Sequence, residues 1–467
     1  MFLNIDKRDP VSEAIVDGDG LRITYGDLLS FTELFAQKVA SRELIFVITE
    51  NCGGACAGYV AALSNGIVPL MLSHTLNKEL LSDLMQTYHP AYLWAPADYE
   101  MEQDYPTEFT YWGYKLMNTG FTSPAMAPEL ALLLPTSGST GSPKLVRHKL
   151  ENVEASARAV SSAFAFNENS RGMVSLPLNF TQGLNVATSH LYVGGTALMT
   201  KATITMREFW NFFKAEHAES FTGVPYSYEV LDKLRFFRMD LPDLKIINQG
   251  GGRMPDTLFT KCTTYATDTG RKFIATYGST ETTSRMAYLP AEVAAEKIGS
   301  IGKALPGYRI ELKDADGNLI TNANEDGEIV FYGANVTLGY AESAADLTKG
   351  DERCGVYATG DLAHYDEDGY LYVVGRKARF LKLFGYRVSL DSMERRIKAS
   401  LGIACACTGT DKRMTVFVER EDVADDVMKI LMETTNLHKQ AFAVQFIENI
   451  PKNDSGKILY SALNKLL

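Results

Sequence analysis

Cysteine, histidine and tryptophan are all scarce, at six, seven and three in 467 residues. Six thiols do not make a disulfide scaffold, and a chain this long can bury a core without cross-links or structural metals. Cys52 and Cys56 lie four apart in the small-residue stretch 51–63, which suits a buried helix. Cys405 and Cys407 alternate with Ala404 and Ala406, which suits a buried strand. No histidine stands near either pair at metal-ligand spacing. Reduced thiols in a cytoplasmic protein fit this usage. No apolar run approaches the ~18–20 residues that span a bilayer. Residues 1–10 carry Asp6, Lys7, Arg8 and Asp9 and do not read as a signal peptide. Basic residues are in deficit, 46 against 57 acidic, for a net charge of −11. That argues against nucleic acid or an anionic membrane as the main partner, because polyanion binding needs concentrated positive charge. A small phosphate ligand remains open, since a few local donors suffice. There is no G-x-S-x-G, H-E-x-x-H, G-x-G-x-x-G or Walker pattern, and no calcium loop at 314–317 or 366–369.

What is present is an ordinary globular composition, 46% apolar and 22% charged, over a length that predicts two or more domains. Residues 24–39 read as a helix, with Thr24 and Asp27 as a capping box and Leu28, Phe31, Phe35 and Val39 on one face. Buried-strand runs follow at 44–48, 68–72, 92–95, 130–134, 173–176, 197–199, 245–249 and 272–276, with helical patterns such as 206–217 between many of them. Strands separated by helices predict a largely parallel, layered α/β architecture. After Tyr277 short strands at 308–312, 328–332 and 371–374, with Asp316-Gly317 and Asp368-Gly369 turns, predict a β-rich subdomain. Beyond Gly375 a basic stretch leads into Leu390, Met393, Ile397 and Leu401 at helical spacing, and the last ~90 residues read as a small α+β domain.

The strongest local signal is Thr136-Ser137-Gly138-Ser139-Thr140-Gly141-Ser142-Pro143-Lys144, between a buried strand and a helix. Glycines and hydroxyls bring N–H and O–H donors close to a polyphosphate, and the lysine adds charge. Four further strings follow in order: Thr276-Tyr277-Gly278-Ser279-Thr280-Glu281, Tyr357-Ala358-Thr359-Gly360-Asp361, the run from Gly375 to Arg387, and Pro451-Lys452-Asn453-Asp454-Ser455-Gly456-Lys457. Each alone also describes an ordinary turn or solvated loop. Together, in this order over nearly the whole chain, they resemble the adenylate-forming enzymes: acyl- and aryl-CoA synthetases, peptide-synthetase adenylation domains and luciferases.

The resemblance implies a role for each motif. Thr136, Ser137, Gly138, Ser139, Thr140, Gly141 and Lys144 would hold the β- and γ-phosphates of ATP. Tyr277 would stack on adenine, Thr280 touch the α-phosphate, and Glu281 hold Mg²⁺, a hard ion suited to a carboxylate oxygen. Gly251 and Gly252, in the Gly250-Gly251-Gly252 turn, would admit adenine and the acyl group, although a tight strand-to-helix turn would need such residues too. Asp361 would clamp the ribose hydroxyls, and Arg376 would reach ribose or phosphate. Lys457 would catalyse adenylation by bridging carboxylate and α-phosphate. Lys382 and Gly385 match positions that face the active site during thioester formation. Phe180, Gln182, Asn185, Val224, Gln249 and Met286 fall where the acyl pocket is expected; most are apolar or neutral, which predicts a neutral-tailed fatty or aromatic acid.

The expected architecture is therefore an ATP- and acid-binding domain over 1–375 and a small mobile catalytic domain over 376–467. The expected reaction is activation of a small carboxylic acid to an acyl-adenylate with loss of pyrophosphate, then transfer to the thiol of coenzyme A. An alternative acceptor is the phosphopantetheine of an acyl or peptidyl carrier protein. A further alternative is a degenerate, non-catalytic nucleotide-binding protein. The sequence departs from the family pattern at Ala378, where the hinge residue is expected, and at Phe180, where an aromatic-His pair is common. It also departs at Tyr460, where an arginine would form a salt bridge.

Overall fold

The computed structural model describes residues 1–136, 144–453 and 456–467. They divide into two compact units: residues 1–136, 144–309 and 331–357 form the first, and 310–330, 358–453 and 456–467 the second.

The first unit is built on two large mixed sheets. In the nine-stranded sheet the parallel strands Lys272–Tyr277, Ile246–Gln249, Ser220–Gly223, Arg171–Val174, Thr196–Met199 and Glu13–Asp17 lie side by side, with antiparallel strands at the edges. The eight-stranded sheet centres on Leu130–Pro135, Val68–Ser73, Leu44–Thr49 and Tyr92–Pro96, all parallel neighbours. The apolar runs predict all of these strands except Ser220–Gly223 and Glu13–Asp17. Helix Tyr25–Ala36 starts at the expected capping box: the Asp27 amide donates to Thr24 Oγ1 at 3.1 Å, and the Thr24 amide donates to Asp27 Oδ2 at 3.0 Å. Helix Gly53–Ser64 is buried on every side but its last residue, which explains its run of glycine, alanine and cysteine. One core joins this helix to Tyr25–Ala36, Leu150–Phe164 and Thr181–Val193 and to strand residues from both sheets, such as Val47, Trp94, Val174 and Met199. Burial of this kind contributes ~25 cal/mol per Å² of apolar surface removed from water.

This topology positions a site. The C-terminal ends of four neighbouring strands lead into the segments at 175–185, 224, 250–252 and 277–285. Open α/β sheets bind ligands at that edge, because the connections there diverge and leave backbone groups available.

The second unit holds most of a five-stranded sheet in the order Leu319–Ile320, Arg309–Lys313, Gly327–Tyr332, Val356–Tyr365, Leu371–Arg376. Its Asp316-Gly317 and Asp368-Gly369 turns join antiparallel strands as predicted, with Gly317 and Gly369 at φ 85° and 77°. The hairpin Phe380–Leu383/Tyr386–Ser389 follows, then helix Leu390–Leu401, a three-stranded sheet (Cys405–Thr410, Arg413–Val418, Phe442–Phe446) and helix Ala424–Thr435. Leu383, Ile397, Cys407, Val416 and Leu431 share its core. Compactness groups residues 358–375 with this C-terminal segment. Arg376 N donates to Asp391 Oδ2 at 3.0 Å, and Arg395 Nη2 donates to the Val374 carbonyl at 2.7 Å.

Candidate active site

In the first unit the site is organised around the turn after strand Lys272–Tyr277. Gly278 is obligatory there, since a Cβ would lie 1.6 Å from the Ser284 carbonyl oxygen. Thr280–Thr282 makes one 3₁₀ turn, and the next two residues, Thr283 and Ser284, take φ of 47° and 97°. Left-handed backbone at non-glycine residues is costly and persists only when the surroundings hold it. Here they do. The Ser156 hydroxyl donates to the Thr283 carbonyl, and Thr283 Oγ1 donates to the Asn335 carbonyl at 2.9 Å. Asn335 Nδ2 donates to the carbonyls of Thr282 at 2.7 Å and Arg285 at 3.0 Å. His148 Nδ1 lies 3.1 Å from Thr283 Oγ1. Burial, aided by the Arg353 charge, lowers the His148 pKa to about 3, so it is a neutral hydrogen-bonding group.

Glu281 is held at both ends. Its carbonyl accepts from Thr337 N at 3.1 Å and Thr337 Oγ1 at 2.9 Å, and Arg353 Nη1 approaches at 3.4 Å. Its Oε1 accepts from the Tyr340 hydroxyl at 2.7 Å. Burial and the neighbouring carboxylate push the Tyr340 phenol pKa up, so it stays a donor. The Arg353 guanidinium covers the rings of Tyr340 and Tyr357 at 4.6 and 4.8 Å. The half-buried Thr280 hydroxyl accepts from Thr181 Oγ1 at 3.0 Å. One oriented carboxylate suits Mg²⁺ arriving with polyphosphate, because that ion takes one or two carboxylates and completes its shell with phosphate oxygens and water. Among the described residues no three metal-ligating side chains cluster.

Of the phosphate-loop residues, Ser137, Gly138, Ser139, Thr140 and Gly141 lie outside the described residues. Thr136 N donates to the Lys144 carbonyl at 2.9 Å, closing the base of the loop above the antiparallel strands Leu130–Pro135 and Leu145–Lys149. The Lys144 ammonium meets Glu342 Oε1 at 2.7 Å and lies 5.7 Å from the Tyr340 ring centre.

The acid-pocket residues converge in part. The Gln182 amide lies over the glycine turn: a Cβ on Gly250 would be 2.7 Å from Gln182 Nε2, and one on Gly251 3.1 Å from Gln182 Oε1 and 3.2 Å from Val224. Among the described residues Gln182 Nε2 is buried without a partner. Gly251 has φ 80°, and Gln249 Nε2 donates to the Gly252 carbonyl at 2.6 Å. Asn185 is buried and accepts from Arg285. Met286 is fully buried, with its amide donating to the Tyr277 carbonyl at 2.8 Å. Phe180 is half-buried where helix Thr181–Val193 begins.

In the second unit Asp361 and Arg376 face each other on neighbouring strands, with Arg376 Nε 3.1 Å from Asp361 Oδ1. Gly360 has φ 73°, and its amide donates to Glu328 Oε1 at 3.2 Å. Lys382 is exposed on the hairpin that turns at Gly385, φ 87°, where Phe384 and Tyr386 are also exposed. Lys457 closes a tight stem: its amide donates to Asn453 Oδ1 at 2.9 Å and its carbonyl accepts from Asn453 N at 2.8 Å, beside the Lys452–Ile458 bridge.

Sequence reading missed Thr337, Tyr340, Arg353, His148 and Arg285. The first three follow Glu281 by more than fifty residues, and no local spacing connects them to it.

The family model for the AMP-binding enzyme matches residues 4–341. The chain belongs to the AMP-binding enzyme family. Among curated AMP-binding relatives, a 2-succinylbenzoate–CoA ligase of Geobacillus sp. (strain WCH70) is 28% identical over 358 residues, 73% of this chain and 69% of the relative. That of Listeria monocytogenes serotype 4b (strain F2365) is 25% identical over 446 residues, 93% and 91% respectively. A solved structure of o-succinylbenzoate CoA synthetase from Bacillus subtilis with its acyl-adenylate intermediate aligns over 99% of this chain and 97% of that one. Its TM-score is 0.78 at 21% identity. The same enzyme with ATP and magnesium ion aligns with a TM-score of 0.79. The family, the layered α/β fold with its smaller C-terminal domain, and the AMP-forming acid–thiol ligase class expected from the sequence are borne out. No helix of the described residues is long and apolar enough to cross a membrane.

Proposed function

We propose that the chain joins a small carboxylic acid to the AMP portion of ATP and then passes the acyl group to the thiol of coenzyme A. The observation that carries this reading is the doubly held Glu281 beside the Thr280 hydroxyl, at the C-terminal edge of a parallel sheet. The acid's carboxylate oxygen attacks the α-phosphorus, the bond to pyrophosphate breaks, and an acyl-adenylate remains. Magnesium, when bound, neutralises phosphate charge. Thr280 offers its hydroxyl to the α-phosphate, Tyr277 a face for adenine, and Lys144 charge for the outer phosphates. Asp361 accepts the ribose hydroxyls with Arg376 alongside. Lys457 offsets the repulsion between carboxylate and phosphate as they approach. In the second step the thiol sulfur attacks the acyl carbonyl, AMP leaves with the bonding pair, and the thiol proton is lost. Lys382 and the Gly385 turn belong to this step.

Acid-dependent exchange of labelled pyrophosphate into ATP tests the first half-reaction. Trapping the product with free coenzyme A, and separately with a phosphopantetheinylated carrier protein, tests the acceptor. Transfer to the carrier protein alone would replace coenzyme A in this account. No exchange across a broad acid panel would mean a non-catalytic nucleotide-binding protein.

A further inference from the structure

Arg353 stands outside every motif that the sequence offers for nucleotide binding, yet the fold brings it to Glu281. Its side chain is half-buried. Nη1 donates to Thr337 Oγ1 and approaches the Glu281 carbonyl at 3.4 Å. Nε and Nη2 make no hydrogen bond among the described residues. Among those residues no carboxylate pairs with the guanidinium either. Its two acidic neighbours in the chain are already committed: Asp351 meets Lys149 Nζ at 2.8 Å, and Glu352 pairs with Arg147. The guanidinium is instead held against two rings, 4.6 Å from the centre of Tyr340 and 4.8 Å from that of Tyr357. Ring contact fixes a planar cation in place without neutralising it.

The Tyr340 ring ties this cation to the phosphate loop. Lys144, at the loop's end, puts its ammonium 5.7 Å from the same ring centre, and the Tyr340 hydroxyl holds Glu281 Oε1. Lys144 and Arg353 therefore share one patch with the carboxylate that suits Mg²⁺. Lys144 is also paired with Glu342, at 2.7 Å. Without Arg353 the patch would hold two carboxylates and one ammonium, a poor receiver for a polyphosphate. A guanidinium carries five N–H groups in a fork that matches two phosphate oxygens, and those of Nε and Nη2 are the ones left over.

We propose that Arg353 binds the outer phosphates of ATP and the pyrophosphate that leaves. When the acid's oxygen bonds to the α-phosphorus, the bond from that phosphorus to the bridging oxygen breaks. Its electron pair goes to pyrophosphate, and Arg353 offsets the charge that develops there. This rests on the adenylation reading above and adds a phosphate-binding residue to it. AMP and the acyl-adenylate have no outer phosphates, so Arg353 takes no part in thioester formation.

The test is calorimetric binding of ATP and of AMP, both in EDTA, so that no effect can pass through Mg²⁺ at Glu281. The wild type should bind ATP more tightly than AMP. Arg353→Met should reduce that preference about tenfold or more, the scale of a charge-assisted hydrogen bond, with AMP affinity nearly unchanged. Arg353→Lys, which keeps the charge and loses the fork, should fall between. Thioester formation from supplied acyl-adenylate should keep its wild-type rate in both variants. Equal loss of ATP and AMP affinity would show that Arg353 only supports the Glu281 turn and overturns the proposal. An unchanged preference, a wild type that binds AMP as tightly as ATP, or a slowed thioester step overturns it too. Should Arg353→Met fail to fold, Arg353→Lys is read by the same criteria. Absence of acid-dependent pyrophosphate exchange refutes the acid-activating reading instead. The ATP-to-AMP preference and its loss in Arg353→Met then still decide whether Arg353 receives the outer phosphates.

Discussion

The ring of Tyr460 stacks on the guanidinium of Arg379, 3.6 Å from ring centre to the central carbon. Both lie at or beside departures from the family pattern, and the structure shows that they meet. Arg379 Nη2 pairs with Glu394 Oε1 at 2.6 Å, and its Nε bonds Asp391. The Tyr460 hydroxyl donates to Glu394 at 2.9 and 3.1 Å, and Cys407 N donates to Glu394 Oε1 at 2.6 Å. The salt bridge expected to be lost at Tyr460 is thus replaced by a phenol–carboxylate–guanidinium cluster. Tyr460 opens the short helix that follows the Lys457 loop, so this cluster anchors one end of that loop.

Tyr460→Phe removes one donor from a mostly buried carboxylate. Folding should weaken by ~1.5–3 kcal/mol, the range for a hydrogen bond to a charged group. Urea unfolding measures it. An unchanged midpoint would show that the stacked ring, not the hydroxyl, holds the cluster.

Lys457→Ala should abolish most pyrophosphate exchange and spare thioester formation from supplied acyl-adenylate. Rapid quench of each half-reaction separates the two. Equal losses in both would remove Lys457 from its assigned role.

Tyr340→Phe deletes the bond to Glu281 Oε1 and nothing else at the backbone end, where Thr337 and Arg353 still hold the carbonyl. A group that orients a metal ligand typically costs about 10–100-fold in metal affinity when removed. Mn²⁺ binding in the presence of ATP, followed by electron paramagnetic resonance, should weaken within that range. Unchanged Mn²⁺ affinity would show that the phenol is only packing.

Much of this site was legible in the sequence because its parts are local. A strand followed by Tyr277-Gly278-Ser279-Thr280-Glu281 states both the turn and the groups on it. The Asp361–Arg376 pair also lay within readable motifs, although their facing register did not. The supporting groups were not legible, since Tyr340, Thr337 and His148 reach the turn only through strand pairing and tertiary packing. Arg285 escaped for a related reason: arginine after a polar turn normally reads as solvated, and only the fold reveals its burial. The first strands, Glu13–Asp17 and Arg22–Thr24, were missed because each is short and completes a sheet whose other members lie far along the chain.

Two buried histidines give the fold a pH dependence with a defined sign. Burial lowers His148 to about 3 and His190 to about 4, against ~6.5 for the unfolded imidazole. Between those values the unfolded chain binds protons that the folded chain does not. Their contribution is therefore full above pH ~6.5 and falls as pH drops, by up to ~1.4 kcal/mol per unit for each histidine, levelling below the folded values. Unfolding of the wild type and of His190→Gln at pH 7.5 and 5.5 should show a smaller loss in the variant. An equal loss would place the proton uptake elsewhere.

The central claim is acid activation by adenylation, and acid-dependent exchange of labelled pyrophosphate into ATP tests it most directly. The account predicts exchange that requires a carboxylic acid and magnesium and disappears in Lys457→Ala. Exchange that ignores the acid, or that survives intact in Lys457→Ala, would contradict it.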